Sequence, residues 1–227
     1  MKPGFPLFLF GFLTIFQFSY SQDYVTYADS LGNIINEDKF KEQLDGHPTR
    51  RYIIQDSVLV KQIINTPFWE TKTGAYNEAK NQIENITGTK YPGSTIFLIS
   101  YILHNDYCHS LEDQNKWNGV ELKEIYDRFS PQVRNAERRN KNLKVIYLFQ
   151  DELALADIKQ KKKIFYKDRN NNFKNSFLTN PATCGHKVLI KPSGEMLIKN
   201  GEYPIEWMAK EIKGKNWEIY FPGEQTK

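Results

Sequence analysis

Residues 94–110 read STIFLISYILHNDYCHS, and this stretch decides the fold. The run from Ser94 to Leu103 is almost continuously apolar, as in a strand that is buried on both faces of a helix-covered sheet. A polar loop holding Cys108 follows it directly. The stretch therefore predicts a central strand that delivers a cysteine to the edge of a sheet.

The chain that follows this strand alternates between helical and strand-like patterns. The predicted elements are, in order, a helix at 111–129, a buried strand at 143–149, a weakly patterned helix at 151–163, a short helix at 173–178, strands at 186–191 and 195–199, and an amphipathic helix at 203–212. Pro131 is expected to end the first helix or to start a further turn. The order is β-loop-α-β-α-β-β-α, which predicts an α/β sandwich with a central mixed sheet flanked by helices.

Residues 22–93 have a mixed pattern and form an N-terminal extension. A strand, a turn at 30–33 and a short helix with Asn36 as its N-cap are expected first. The segment RRYIIQDSVLVKQII, residues 50–64, predicts one or two strands, and residues 74–87 predict a helix that ends near Gly88. We expect this extension to pack on the domain at 94–213, and residues 214–227 to form a C-terminal tail.

Residues 1–21 have the pattern of a secretory signal peptide. A basic residue, Lys2, precedes an aromatic-rich apolar stretch, and small residues at Ser19 and Ser21 precede a predicted cleavage site before Gln22. The apolar stretch is short and interrupted by Gly and Pro, whereas a membrane span needs about 20 apolar residues. The sequence predicts an exported protein, periplasmic or secreted, with no membrane segment after cleavage. An uncleaved N-terminal anchor is the alternative.

The charge of the chain gives no sign of a polyanionic partner. The formal net charge is +4, and one of the lysines lies in the predicted signal peptide. The basic runs are interrupted by acidic residues, as on solvated faces. We therefore expect no nucleic-acid binding.

The two cysteines of the chain lie beside three of its four histidines. His104 and His109 flank Cys108, and His186 follows Cys184. Thiols and imidazoles together form a disulfide, a redox site or a site for a soft metal such as copper or zinc. In an exported protein an even number of cysteines favours a disulfide, but the sequence leaves the three possibilities open.

The order of elements and three segments within residues 94–213 resemble the thioredoxin fold, in particular its exported TlpA-like branch. TIFLISYILHNDYCHSLED is similar to the strand and aromatic-Cys-x-x-Cys loop of that family, with Tyr107 as the aromatic residue and Cys108 as the first cysteine. NLKVIYLFQDE resembles the central strand, and TCGHKVLIKPSGEMLIKN resembles the segment from the cis-proline through the terminal hairpin. Two positions depart from the pattern: Leu111 replaces the second cysteine, and Gly185 replaces the cis-proline.

The resemblance implies a contact and a function. The residue before the cis-proline packs against the first cysteine in that fold, so Cys184 would face Cys108. The implied activity is thiol-disulfide exchange or redox homeostasis, without a cofactor and with protein thiols or disulfides as partners. Cys108 would be the attacking thiolate at a helix N-terminus, Cys184 its partner, and Tyr107 and His109 tuning neighbours. A cis peptide is costly without proline, so a trans or rearranged loop is expected at Gly185.

Two other functions stay open beside this one. The first follows from the incomplete dithiol motif. If a Cys108–Cys184 disulfide is purely structural, the chain is a non-enzymatic binding or scaffold domain with an exported protein as its partner. A copper or zinc module would use Cys108, Cys184 and His186, with His104 or His109 as the fourth ligand. Sco-type copper chaperones share the fold, but both of their cysteines lie in the first loop.

Overall fold

The computed structural model describes residues 25–44, 50–55, 58–64, 66–106, 108 and 115–222. The predicted signal peptide lies outside these residues. The strands of the described part are β1 Val25–Ala28, β2 Ile34–Ile35, β3 Arg50–Gln55, β4 Val58–Ile63, β5 Trp69–Lys72, β6 Ile96–Ile102, β7 Lys116–Trp117, β8 Leu143–Gln150, β9 Ala154–Leu155, β10 Phe165–Asp168, β11 His186–Ile190 and β12 Met196–Asn200. The α-helices are α1 Glu37–Leu44, α2 Tyr76–Thr87, α3 Gly119–Arg139, α4 Asn172–Phe177, α5 Ile205–Met208 and α6 Gly214–Tyr220.

The N-terminal region forms a sheet of its own, with the strand order β2-β1-β4-β3. Residues 50–64 supply two of these strands as an antiparallel pair, and β1 runs parallel to β4. Helix α1 begins after Asn36 because the side chain of Asn36 accepts a hydrogen bond from the Lys39 N–H (2.8 Å). The predicted cap is confirmed.

The larger sheet is mixed and has the strand order β10-β8-β6-β11-β12-β5. Strands β6, β8 and β10 are parallel to one another, and β11 is antiparallel to β6. The predicted hairpin is confirmed as β11 and β12, and β5 extends the sheet beside β12. Strands β6 and β8 lie inside this sheet and are the two buried apolar strands that the sequence predicts. Both are mostly apolar along their length because helices cover both faces of the sheet.

Side chains that alternate along the strands build two hydrophobic layers. One layer, called here the α3 face, contains Leu98 and Leu189 and packs against α3, α5 and α6. The opposite layer, the α2 face, contains Ile99 and Val188 and packs against α2 and α4. The protein is thus an α/β structure with mixed sheets flanked by helices. In the described part of the chain, no helix is both long enough and apolar enough to cross a membrane.

Helix α3 begins later than the sequence predicts. The prediction of a helix over 111–129 is wrong at both ends, since α3 starts at Gly119, passes through Pro131 and ends at Arg139. Asn118 caps the helix by accepting hydrogen bonds from the N–H groups of Val120 (2.9 Å) and Glu121 (3.1 Å). Before the cap, β7 pairs with β9 in a short parallel ladder, so the chain is extended there.

Two further predictions differ from the structure at the C-terminal side. The helix expected at 151–163 is absent from the described residues, because the backbone of Ala154 and Ala156 bonds to the strand β7 region instead. The region predicted as a tail contains α6, whose Trp217 is buried. The Trp217 indole N–H donates to a carboxylate oxygen of Glu195 (2.8 Å), which fixes α6 against the hairpin turn.

Candidate functional site

The centre of the candidate site is a disulfide between Cys108 and Cys184. Their Cα atoms lie 4.8 Å apart across a sequence separation of 76 residues. Cys108 lies in the loop after β6, and Cys184 lies just before β11, the neighbouring strand. Both side chains are partly buried. The pair that the resemblance implied is therefore present as a covalent bond.

The backbone at Cys184 and Gly185, in the loop before β11, has an unusual conformation. Both residues have positive φ, +65° and +71°. The Gly185 N–H donates to a carboxylate oxygen of Asp106 (2.7 Å), and its carbonyl accepts from the Gly201 N–H (3.0 Å). No cis peptide occurs among the described residues, so the loop is of the rearranged kind expected for a glycine at this position.

Residues 186 and 187 point to opposite faces of the sheet. His186 is in register with Tyr101 and Asn200 on the α2 face, whereas Lys187 is in register with Ser100 on the α3 face. The disulfide is followed by one residue on each side of the sheet. Of these two residues, Lys187 borders the open space next to the two sulfur atoms and His186 does not.

His186 is part of a buried polar network away from that space. The Asn200 amide nitrogen donates to the carbonyl of Pro67 (2.8 Å) and to the carboxylate of Glu70. The Asn200 oxygen must then accept from His186 Nδ1 (2.7 Å), which assigns the Nδ1–H tautomer. Burial lowers the pKa of His186 to about 4, although the bond to Asn200 opposes this. His186 is therefore neutral at pH 7 and has a structural role in this network.

A cavity of about 380 Å³ lies beside the disulfide, on the α3 face. We call it the disulfide cavity. Its lining is mainly apolar and comes from β6, α3, β11 and the start of α5; the lining residues used below are Ser100, Asp106, Cys108, Trp117, Ile125, Arg128, Phe129, Cys184, Lys187, Glu202 and Ile205. A concave apolar space of this size with a few polar groups is typical of small-molecule sites.

Two charged residues in this wall are missed by the sequence-based interpretation. A carboxylate oxygen of Glu202 and the two sulfur atoms all lie within 4.8 Å of one another. Burial lowers the pKa of Lys187 to about 8, an effect that the carboxylates of Glu202 and Asp106 partly offset. Lys187 had one signal in the sequence, as a cation inside an otherwise apolar strand; Glu202 had none, because the fold alone brings it to the sulfur atoms.

The predicted metal ligands are only partly brought together. Among the described residues, the one group of three potential ligands is Cys108, Cys184 and Glu202, and both sulfur atoms are held in the disulfide. His186 belongs to the network on the α2 face and not to this group. The backbone N–H of His104 donates to the side-chain oxygen of Gln150 (3.0 Å), and the imidazole of His104 is likewise outside the group.

The remaining predicted site residues, Tyr107 and His109, lie outside the described residues. The helix expected to activate Cys108 does not begin beside it, since the first residue of α3 is Gly119. The N-terminus of α3 therefore does not act on Cys108, because the field of a helix dipole acts only within about one turn of its end. Residues 109–114, which follow Cys108 directly, lie outside the described residues.

Comparison of the chain with protein-family models, with curated proteins and with solved structures found no match. The function of the chain is therefore inferred from the geometry of the site.

Proposed function

We propose that the chain is an exported, thioredoxin-like domain that binds a ligand at the disulfide cavity and keeps Cys108–Cys184 as a structural bond. Apart from the two-residue strands β7 and β9 and the edge strand β10, the elements follow the order β6, α3, β8, α4, β11, β12, α5. This order supports the thioredoxin-like assignment, because it matches the β-α-β-α-β-β-α order of the resemblance. The Cys108–Cys184 bond supports it further, because the same resemblance implies that contact.

The observation that carries the structural role is the electrostatic setting of the disulfide. A reactive cysteine needs a stabilised thiolate, which a helix N-terminus or a neighbouring cation provides. Here α3 begins at Gly119, well after Cys108. Lys187, a cation that lines the same cavity, has its own pKa lowered by burial. A carboxylate oxygen of Glu202 lies within 4.8 Å of each sulfur atom. A negative charge at this distance disfavours a thiolate and therefore raises the pKa of a thiol.

The reduction potential of the pair tests this role. We expect a potential below about −300 mV in a glutathione or dithiothreitol titration, the range of structural disulfides. We also expect no reduction of insulin above the rate of the Cys108→Ser/Cys184→Ser protein. A potential near −200 mV together with insulin reduction would refute the structural role, because working redox pairs fall in that range.

A second candidate, thiol-disulfide exchange, is favoured by one observation. Both cysteines are partly exposed and border an open cavity, so an incoming thiolate has access to a sulfur atom. Attack on one sulfur would form a mixed disulfide with it and release the other as a thiolate. In the Cys184→Ala protein, the rate of Cys108 alkylation against pH separates the candidates: a pKa at or above about 8.5 supports the structural role, and one below 7 supports exchange.

The export part of the proposal rests on the sequence of residues 1–21 and on the disulfide, a bond that persists in oxidising compartments. Sequencing the N-terminus of the protein purified from its own cells tests it. We expect the mature chain to start at Gln22. A protein that starts at Met1 in a reducing compartment would overturn the assignment.

A further inference from the structure

The charged residues that line the disulfide cavity differ in whether they form hydrogen bonds or ion pairs. Its charged lining residues are Asp106, Arg128, Lys187 and Glu202. Asp106 is engaged by the Gly185 N–H, and Glu202 lies against the sulfur atoms. Within the part of the chain that the structure describes, neither Lys187 nor Arg128 forms a hydrogen bond or an ion pair within 4 Å. Both carboxylates act electrostatically on Lys187, but neither forms an ion pair with it within 4 Å, so its ammonium group can still pair with an incoming anion.

The position of Lys187 makes its ammonium group the interior contact point. Lys187 projects from β11 on the α3 face and is partly buried, whereas Arg128 lies exposed on α3. Beside Lys187, the buried hydroxyl of Ser100 occupies the cross-strand position on β6. A buried cation without a bonded partner is unfavourable, and an anion that enters the cavity relieves this cost.

Most of the remaining wall is apolar, although Gln132, Tyr147 and Tyr203 also line the cavity. Ile125 and Phe129 of α3, Ile205 of α5 and Trp117 of β7 all line it. These side chains offer no charge and few hydrogen-bonding groups to a ligand. They favour an aliphatic or aromatic body, because burial of its surface removes apolar area from water.

We propose that the disulfide cavity binds a small monocarboxylate with an apolar body, whose carboxylate pairs with Lys187 and whose body contacts Ile125, Phe129 and Ile205. A single interior cation matches a single carboxylate. This proposal rests on the proposed binding function and names its ligand class. It is tested by binding, whereas the structural role of the disulfide is tested by redox chemistry, so the two fail on different measurements.

Isothermal titration of the oxidised protein with three probes of equal length tests the ligand class. The probes are octanoate, octylamine and octan-1-ol, which carry a negative, a positive and no charge. We expect octanoate to bind at least tenfold more tightly than octylamine, because one charge-assisted hydrogen bond to a carboxylate corresponds to about tenfold or more in affinity. Absence of octanoate binding, or equal binding of octylamine, would overturn the proposal.

Variants then assign the contact. Lys187→Met removes the charge but keeps an unbranched apolar side chain, and we expect it to weaken octanoate binding about tenfold or more while leaving octan-1-ol binding unchanged. Lys210→Met is the matched control, since Lys210 is exposed and does not line the cavity. Equal octanoate affinity in the wild-type and Lys187→Met proteins would show that Lys187 is not the contact.

The pH dependence adds a readout that a purely structural role would not give. The carboxylate binds the protonated ammonium, so octanoate affinity falls as the pH rises from 7 through the pKa of Lys187 toward 10. In Lys187→Met the affinity stays flat across this range. A pH dependence that survives the substitution would place the titrating group elsewhere and contradict the proposal.

Discussion

Gly185 lies directly against the backbone carbonyl of Tyr101 on the neighbouring strand β6. A Cβ atom built on Gly185 would collide with that oxygen, and the φ angle of +71° is in the region that glycine adopts most easily. We therefore expect Gly185→Ala to lower the free energy of unfolding by about 3 kcal/mol, from backbone strain and overpacking together. Denaturant unfolding of the oxidised protein measures the change.

Gly88 is the matched control for this substitution. It has nearly the same φ, +68°, at the C-terminus of α2, but nothing lies within 4 Å of a Cβ placed there. Gly88→Ala is expected to cost only about 1 kcal/mol, the strain of the left-handed conformation. Equal losses for the two variants would mean that the close approach to Tyr101 does not matter.

The disulfide stabilises the protein mainly by restricting its unfolded state. It closes a loop across a sequence separation of 76 residues. We expect Cys108→Ser/Cys184→Ser to lower the unfolding free energy by about 2–4 kcal/mol. Wild-type protein in dithiothreitol should have the same stability as the double variant, and a difference of more than 1 kcal/mol between them would point to an effect of the serines themselves.

The start of α3 is set by Asn118. Its side chain bonds the first free N–H groups of the helix, and the Glu121 carboxylate bonds back to the Asn118 N–H (3.1 Å). Asn118→Ala should therefore cost about 1 kcal/mol of unfolding free energy, while Asn118→Asp keeps an acceptor and should cost much less. If alanine and aspartate cost the same, Asn118 is not the cap.

The stability of the protein falls as the pH is lowered below about 6.5 because of His186. Burial lowers the pKa of His186 to about 4 in the folded state, so over this range the unfolded chain takes up a proton that the folded protein does not. The full difference corresponds to about 3 kcal/mol, lost between pH 6.5 and pH 4. Urea unfolding at intervals across that range measures it.

His186→Gln is the control for this pH dependence. A glutamine amide still has an N–H to offer to Asn200 but does not titrate. We expect the variant to lose most of the slope between pH 6.5 and pH 4 and to keep the slope at lower pH. A ring that titrates near 6.5 in NMR spectra of the folded wild-type protein would contradict the assignment.

Much of the large sheet was predictable from local sequence patterns. Strands β6 and β8 are long apolar runs, and the β11–β12 hairpin is marked by its Pro-Ser-Gly turn. The start of α3 was not predictable in this way, because Leu111 extends the apolar period of the helix toward its N-terminus. The pairing of residues 116–117 with β9, which keeps the chain extended there, is a long-range contact that has no local signal.

The cysteine pair of the candidate site was predictable, but the residues around it were not. The cysteine pair followed from a resemblance to a known order of elements. The neighbours of that pair did not follow, since proximity in sequence favoured His186 over Lys187. Strand alternation decides between them and turns His186 to the opposite face. Glu202 approaches the sulfur atoms only when the segment after β12 folds back, so its role depends on tertiary structure.

The disulfide also changes the effect of proteolytic cleavage on the protein. The covalent ring between Cys108 and Cys184 contains α3, β8, β10 and α4, and thus two of the six strands of the large sheet. A single proteolytic cleavage anywhere inside this ring leaves both fragments joined, so neither is released while the protein stays oxidised. The same cleavage after reduction leaves two chains with no covalent link, so the strands on either side of the cut are held together only by their hydrogen bonds and packing.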